Sequence, residues 1–166
     1  TTNAGTLDIE KGTTPTNPNI GAQNAEISNF KLTANTNDIE VRRITLIQTG
    51  GIANSDLTNF NLYQGSTLVA STPSMVGDKI VLTFNPPYVI TNGTTKTFSL
   101  QAKVAGRAGR DIKTFVEYST DVYAIDKLYN SGAAVDIADF DGVTGCGTDA
   151  VCVTTQGGQL TVSFNG

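Results

Sequence analysis

The stretch that decides the fold is "TNGTTKTFSLQAKV", Thr91–Val104. It turns at Asn92–Gly93, a pair strongly associated with tight hairpins. Beyond the turn, Phe98, Leu100, Ala102 and Val104 fall on one side, and Thr97, Ser99, Gln101 and Lys103 on the other. A period of two is the pattern of a half-buried strand rather than a helix.

The same period recurs outward in both directions. "NFKLTA" (Asn29–Ala34) places Phe30, Leu32 and Ala34 on one face with Lys31 and Thr33 opposite. "DIEVRRITLIQTG" (Asp38–Gly50) alternates at Ile39 and Val41, slips at Arg42 and Arg43 and resumes at Ile44 and Leu46, the one-residue slip expected of a β-bulge. "NFNLYQGSTLVAS" (Asn59–Ser71) reads as a hairpin around Gln64, Gly65 and Ser66. "DKIVLTFNPPYVI" (Asp78–Ile90) points Ile80, Leu82 and Phe84 inward, and the strand is expected to stop at Pro86 and Pro87, which cannot donate to a ladder. "IKTFVEYST" and "DVYAIDKL" (Ile112–Leu128) read as two further strands, with a short helix over Val122–Leu128 as the alternative. About eight to ten short strands, with turn signals roughly every 8 to 12 residues, predict an all-β protein built as a two-sheet β-sandwich, with a closed barrel as runner-up.

The 166 residues suffice for one domain with its own core, spanning 1–166. Apolar residues make up 39% and charged residues 16%, so the polar surface is largely hydroxyl and amide, a composition that fits secreted all-β proteins. The net charge of -4 argues against a nucleic-acid partner, and Lys103, Arg107, Arg110 and Lys113 are too sparse to form a basic stripe. No apolar run approaches the roughly 18 residues that would insert in a membrane. The N-terminal residues lack the layout of a signal peptide, and the absence of a leading Met fits a chain from which a leader has been removed.

Cys146 and Cys152 lie in "GCGTDAVC" with glycines on both sides of the first. A disulfide closing this short loop would add about 2 kcal/mol and would persist only in an oxidising compartment, which fits an extracellular chain. A soft metal pair is not expected, because the chain has no His and no third Cys to complete such a site.

Other motifs point to weaker chemistry. "DFDG" (Asp139–Gly142), with Asp136 close by, has the composition of a calcium loop, but an EF-hand register would put Ile137 first and Thr148 twelfth, two positions that need strong oxygen ligands. A calcium site of another kind would use Asp136, Asp139 and Asp141, with Asp149 as a fourth ligand; the competing reading is a solvated acidic loop, and no other cofactor is expected. "NGT" (Asn92–Thr94) is the one N-glycosylation sequon, although the same residues are explained by the hairpin turn. Without His, the usual Ser and Cys triads cannot be assembled, and the chain is not read as an enzyme.

Two longer runs, "ISNFKLTANTNDIEVRRITLIQTGGIANSDLTNFNLYQGSTLVAS" (Ile27–Ser71) and "KIVLTFNPPYVITNGTTKTFSLQAKVAG" (Lys79–Gly106), together resemble a Thr-rich Ig-like domain repeated in large surface proteins of bacteria, notably of the candidate-phyla group. The shared features are an F-K-L-T-A strand, a D-L-T-N-x-x-L-Y-x-G-S-T-L-V hairpin and a Pro-containing strand that ends before a G-T-x-K-T turn. The resemblance covers about Thr6–Gly106 and, more loosely, the rest of the chain. It implies an Ig-like sandwich with no catalytic residues, adjacent repeats as partners, and a closing segment that serves as the first strand of the next unit. The cysteine hairpin departs from the pattern.

The chain also opens and closes on similar phrases. "GTLDIEKG" (Gly5–Gly12) laid over "GQLTVSFNG" (158–166) puts Leu7 on Leu160 and Ile9 on Val162. Three explanations stand side by side: coincidence of cheap alternation, neighbouring strands of one sheet, or a strand donated to another copy. Donation makes residues 1–12 a donor strand, 13–26 with Pro15 and Pro18 an extended spacer or an ordinary crossover loop, and 136–157 an acidic loop plus disulfide hairpin. It predicts a head-to-tail homopolymer, a surface filament. The alternatives are an adhesin or carbohydrate-binding module using Tyr118, Tyr123 and Tyr129, and a subunit of a surface layer.

Overall fold

The computed structural model describes residues 3–157 and is all-β among them, with no α-helix. The closing segment with Leu160 and Val162 lies outside the described residues.

Twelve strands follow one another along the chain: β1 (Thr6–Lys11), β2 (Ala25–Asn35), β3 (Ile39–Gln48), β4 (Leu57–Gln64), β5 (Thr67–Ser74), β6 (Lys79–Ile90), β7 (Thr95–Val104), β8 (Asp111–Phe115), β9 (Val122–Asp126), β10 (Ser131–Gly132), β11 (Ala134–Asp139) and β12 (Val151–Thr154). They form one hydrogen-bonded array in the order β10-β9-β3-β6-β5-β4-β7-β2-β1-β11, with β8 pairing β3 and β12 pairing β8. The array is larger than eight to ten strands because the tail contributes strands of its own. In particular, the acidic stretch begins as strand β11, whose Val135 and Ile137 pack against the core.

The array nearly closes on itself like a barrel. β10 pairs with β9 and β11 pairs with β1, yet the two are separated only by Ala133, so the two ends of the sheet order are one stretch of chain. The Ala133 N–H donates to Ala124 O at 2.9 Å where that stretch leaves β9.

The alternation read from sequence fills the interior. Phe30, Leu32 and Ala34 of β2, with Phe98, Leu100, Ala102 and Val104 of β7, are all fully buried in a single core cluster. Phe98 is the hub, 5.6 Å from the Phe30 ring, 6.1 Å from Phe84 and 5.4 Å from Tyr88. The bulge forms where the sequence slips: the register of β3 shifts between Val41 and Arg43 against both β6 and β9.

Val122–Asp126 is the strand read from the sequence, not the alternative short helix, and is held between β3 and β10. One expectation is corrected. β6 does not stop at Pro86–Pro87. Thr83 pairs with Arg43 and Tyr88 with Val41, so residues 84–87 all lie opposite Arg42 and make no ladder with β3. The prolines therefore forfeit no hydrogen bond there, and Phe84 pairs with Ala70 of β5 instead. This single bridge is where β6 passes from one part of the array to the other.

Phe98→Ala should cost about 3–5 kcal/mol through lost burial and the cavity left among three aromatic rings. Urea unfolding checks this: the midpoint should fall with little change in slope. A loss below about 1 kcal/mol would contradict Phe98 as the packing hub.

Candidate functional site

β1 is an inserted strand. It runs antiparallel to β2 from Thr6↔Asn35 to Lys11↔Phe30 and parallel to β11 from Thr6↔Ala134. Its alternation sends Leu7 and Ile9 inward to full burial, whereas Asp8 and Glu10 face out. The strand thus lies in a groove whose walls are β2 and β11 and whose floor is the core.

Polar clamps close the groove at both ends. At the start, the Gly5 N–H donates to Asp126 Oδ2 at 2.6 Å, across 121 residues of sequence. Asp126, at the end of β9, is only 1% exposed. It also accepts hydrogen bonds from Asn37 Nδ2 (3.0 Å), Leu128 N–H (2.9 Å) and Tyr129 N–H (3.4 Å). The Gly5 hydrogen bond, with those from Asn37, Leu128 and Tyr129, holds the Asp126 carboxyl below the usual aspartate range in spite of burial. A side chain at position 5 would place its Cβ 2.9 Å from Ile39 Cδ1 and 3.1 Å from Asp126 Oδ2, so the clamp favours glycine, and any other residue would have to displace the Ile39 terminal methyl. At the far end, the Gly12 N–H donates to Asn29 O at 2.7 Å, and a Cβ on Gly12 would run into Asn29 Oδ1. Asn29 is 7% exposed and its Oδ1 is buried without a hydrogen-bond partner.

The predicted spacer is tied down at its middle. Ile20 N–H donates to Gln156 O (2.9 Å), Gln156 N–H to Pro18 O (2.9 Å) and Gly21 N–H to Val104 O (2.8 Å). Gly5 and Gln156 consequently mark opposite ends of the array. β2 has Asn35 beside Thr6 at one end and Ala25 beside Ala102 at the other, about 33 Å apart at roughly 3.3 Å per residue.

The other candidate residues are scattered. Cys146 and Cys152 form the disulfide, Cα–Cα 5.5 Å. Among the described residues no group of three or more carboxylate, thiol or imidazole side chains is placed to hold a metal ion. Asp136 Oδ1 accepts the Ala138 N–H (2.9 Å) and Asp141 Oδ1 the Val143 N–H (3.1 Å), while Asp139 lies on β11 beside Glu10. Asp149 accepts Thr144 and Gly145 N–H at 2.9 and 2.8 Å, caps of its own loop. Asn92 is exposed on the β6–β7 turn and donates from Nδ2 to Thr36 O at 2.9 Å. Tyr118, Tyr123 and Tyr129 are exposed, but the Tyr123 ring already has the guanidinium carbons of Arg42 and Arg43 within 5.6 and 5.7 Å of its centre. The cleft beside it, about 440 Å³, is lined by Arg43, Ser119, Thr120 and Tyr123 together with mostly small residues of β9 to β11.

Sequence reasoning reached Leu7 and Ile9 but missed Asp126 and Asn29. Only the paired glycines at 5 and 12 hinted that something must approach the strand closely at both ends. Neither a model of a known protein family nor a curated protein sequence matches the chain.

Two outcomes check the clamps. Gly12→Ala should destabilise by about 1–3 kcal/mol through forced displacement of Asn29, and wild-type stability in urea melts would refute the close approach. Because the Asp126 pKa is lowered on folding, its contribution is present above the unfolded value of about 4 and is lost as pH falls through the lower folded value. Asp126→Asn should remove that part of the acid-unfolding curve; superimposable pH profiles would contradict the clamp.

Proposed function

We propose that the protein is a non-catalytic, extracellular structural subunit that assembles head to tail, with copies of itself or adjacent repeats of the same kind, by β-strand addition at the β1 groove. The observation that carries this reading is the placement of β1. It is a self-contained strand with two apolar anchors, clamped by polar groups at its ends and connected to the rest by a polar, Pro-containing segment. A vacated groove would offer the backbone edges of β2 and β11 for main-chain hydrogen bonding and two pockets for alternate side chains, the recognition mode of strand addition. The opposed positions of Gly5 and Gln156 supply the polarity: a contact between unlike ends at opposite poles is heterologous and propagates as a filament wherever its rotation does not close a ring.

The compartment is part of the same proposal. A disulfide fits an oxidising environment, and no helix among the described residues is long and apolar enough to cross a membrane. So is the kinship with Ig-like surface repeats. The thin link between the two parts of the array, the single Ala70↔Phe84 bridge, is what supports reading it as an Ig-like two-sheet sandwich. A surface layer would use the same contact in a different geometry.

A designed lock tests the reading. Leu7 and Ala34 are directly opposed across β1 and β2, at the roughly 4.5–5.5 Å Cα separation that suits a disulfide. Leu7→Cys with Ala34→Cys, once oxidised, should fold but remain monomeric under negative-stain microscopy, and reduction should restore filaments, with reduced wild type as control. Filaments from the locked protein would eliminate the β1 groove as the assembly site.

A further inference from the structure

We infer that the strand entering the β1 groove is residues 158–166 of a second copy of this chain, running in the direction of β1 with Gly158 in the place of Gly5; this rests on the strand-addition reading above. In that register Gln159 takes the place of Thr6, Leu160 of Leu7, Thr161 of Asp8, Val162 of Ile9, Ser163 of Glu10 and Phe164 of Lys11.

The groove selects for this sequence at three places. The Asp126 clamp favours glycine, since a Cβ there would stand 2.9 Å from Ile39 Cδ1 and force its terminal methyl to shift, and Gly158 suits that position. On the inner face, the pockets of Leu7 and Ile9 receive Leu160 and Val162, the same side chain and one a methyl smaller. The third inward position is held in β1 by Lys11, half-buried against Phe30, its Nζ donating to Gly12 O at 3.2 Å. Phe30 is stacked with Phe98 and Phe140, both ring centres 5.6 Å away. Phe164 would extend that aromatic cluster where a lysine now has to bend its amine back to the backbone.

The outer face favours exchange as well. Asp8 lies beside Asp136 of β11, and Glu10 beside Asp139, so β1 sets like charges against like along the parallel pair. Lys31, across from Glu10 on β2, is the one cation in register with them. Thr161 and Ser163 carry no charge and would relieve this repulsion. The exchange forfeits the hydrogen bond from Asn35 Nδ2 to Asp8, 3.0 Å. The match ends at Phe164, because Asn165 would meet Asn29 where only Gly12 fits. β1 is thus the weaker occupant of its own groove, a placeholder that keeps the core covered until a better strand arrives.

Direction agrees with the poles. The described chain ends at Gly157, beyond the Gln156 contact with Ile20 and Pro18 and opposite the pole where β1 begins. A strand that follows Gln156 would therefore face the Gly5 end of a neighbour in a head-to-tail stack.

Cysteine trapping in the full chain reads the register. Leu160→Cys with Ala34→Cys should give a ladder of disulfide-linked oligomers on a non-reducing gel after mild oxidation, whereas Leu160→Cys with Leu32→Cys, two residues out of register, should give little. Asp8→Asn with Glu10→Gln should raise the melting temperature and slow filament growth by stabilising the resident strand. Filaments that form without the in-register ladder, or with equal ladders from both pairs, would overturn residues 158–166 as the donor while leaving strand addition standing. If wild type forms no filaments, the strand-addition reading falls with it.

Discussion

The hydrogen bond from Gly5 to Asp126 is the constraint on which the arrangement turns. Asp126 comes from the last residue of β9, Gly5 from the approach to β1, and between them lie most of the chain and most of the sheet. A buried carboxylate is costly unless it is satisfied, and Asp126 is satisfied by four donors from three segments. One of the four, Gly5, immediately precedes β1. While β1 is in place the carboxylate is satisfied; under the strand-addition proposal, a replacement strand would have to present an N–H at the same point. This one group ties the start of the resident strand to the far side of the sheet.

The near-closure of the array makes the groove deep enough to matter. Because residues 131–139 complete β9 with one half and flank β1 with the other, β11 exists as a wall only where the tail turns away from β9 at Ala133. β1 is consequently a central strand, not an edge strand. An edge strand could peel away at little cost, but the removal of β1 would expose Leu7, Ile9 and two unpaired backbone edges together. Any assembly through this groove has to proceed by exchange of one strand for another, which favours donors that match the pockets closely.

Much of the fold was legible because alternation survives wherever one strand face is buried. β2, β7 and the Arg42–Arg43 bulge follow directly from the spacing of apolar residues. The errors arose where local rules met a tertiary exception. Pro86 and Pro87 signal the end of a strand, yet β6 continues because its partner strand contributes only Arg42 over that interval. Val135 and Ile137 alternated visibly, but the aspartates between and after them gave the stretch the look of a solvated loop. Asp126 left no local trace at all: its role depends on a contact with Gly5 that no period within β9 encodes. The groove's anchors could be read from sequence; its clamps could not.

Native-state hydrogen exchange on the monomer, resolved along the chain by mass spectrometry, tests the central claim most directly. If β1 is an exchangeable occupant, its amides from Leu7 to Gly12 should exchange through a partial opening, well before those of β2 and β7 and at a rate insensitive to low denaturant. Exchange of β1 only through global unfolding, together with β2 and β7, would mean that the strand cannot leave its groove while the rest stays folded, and would contradict the account.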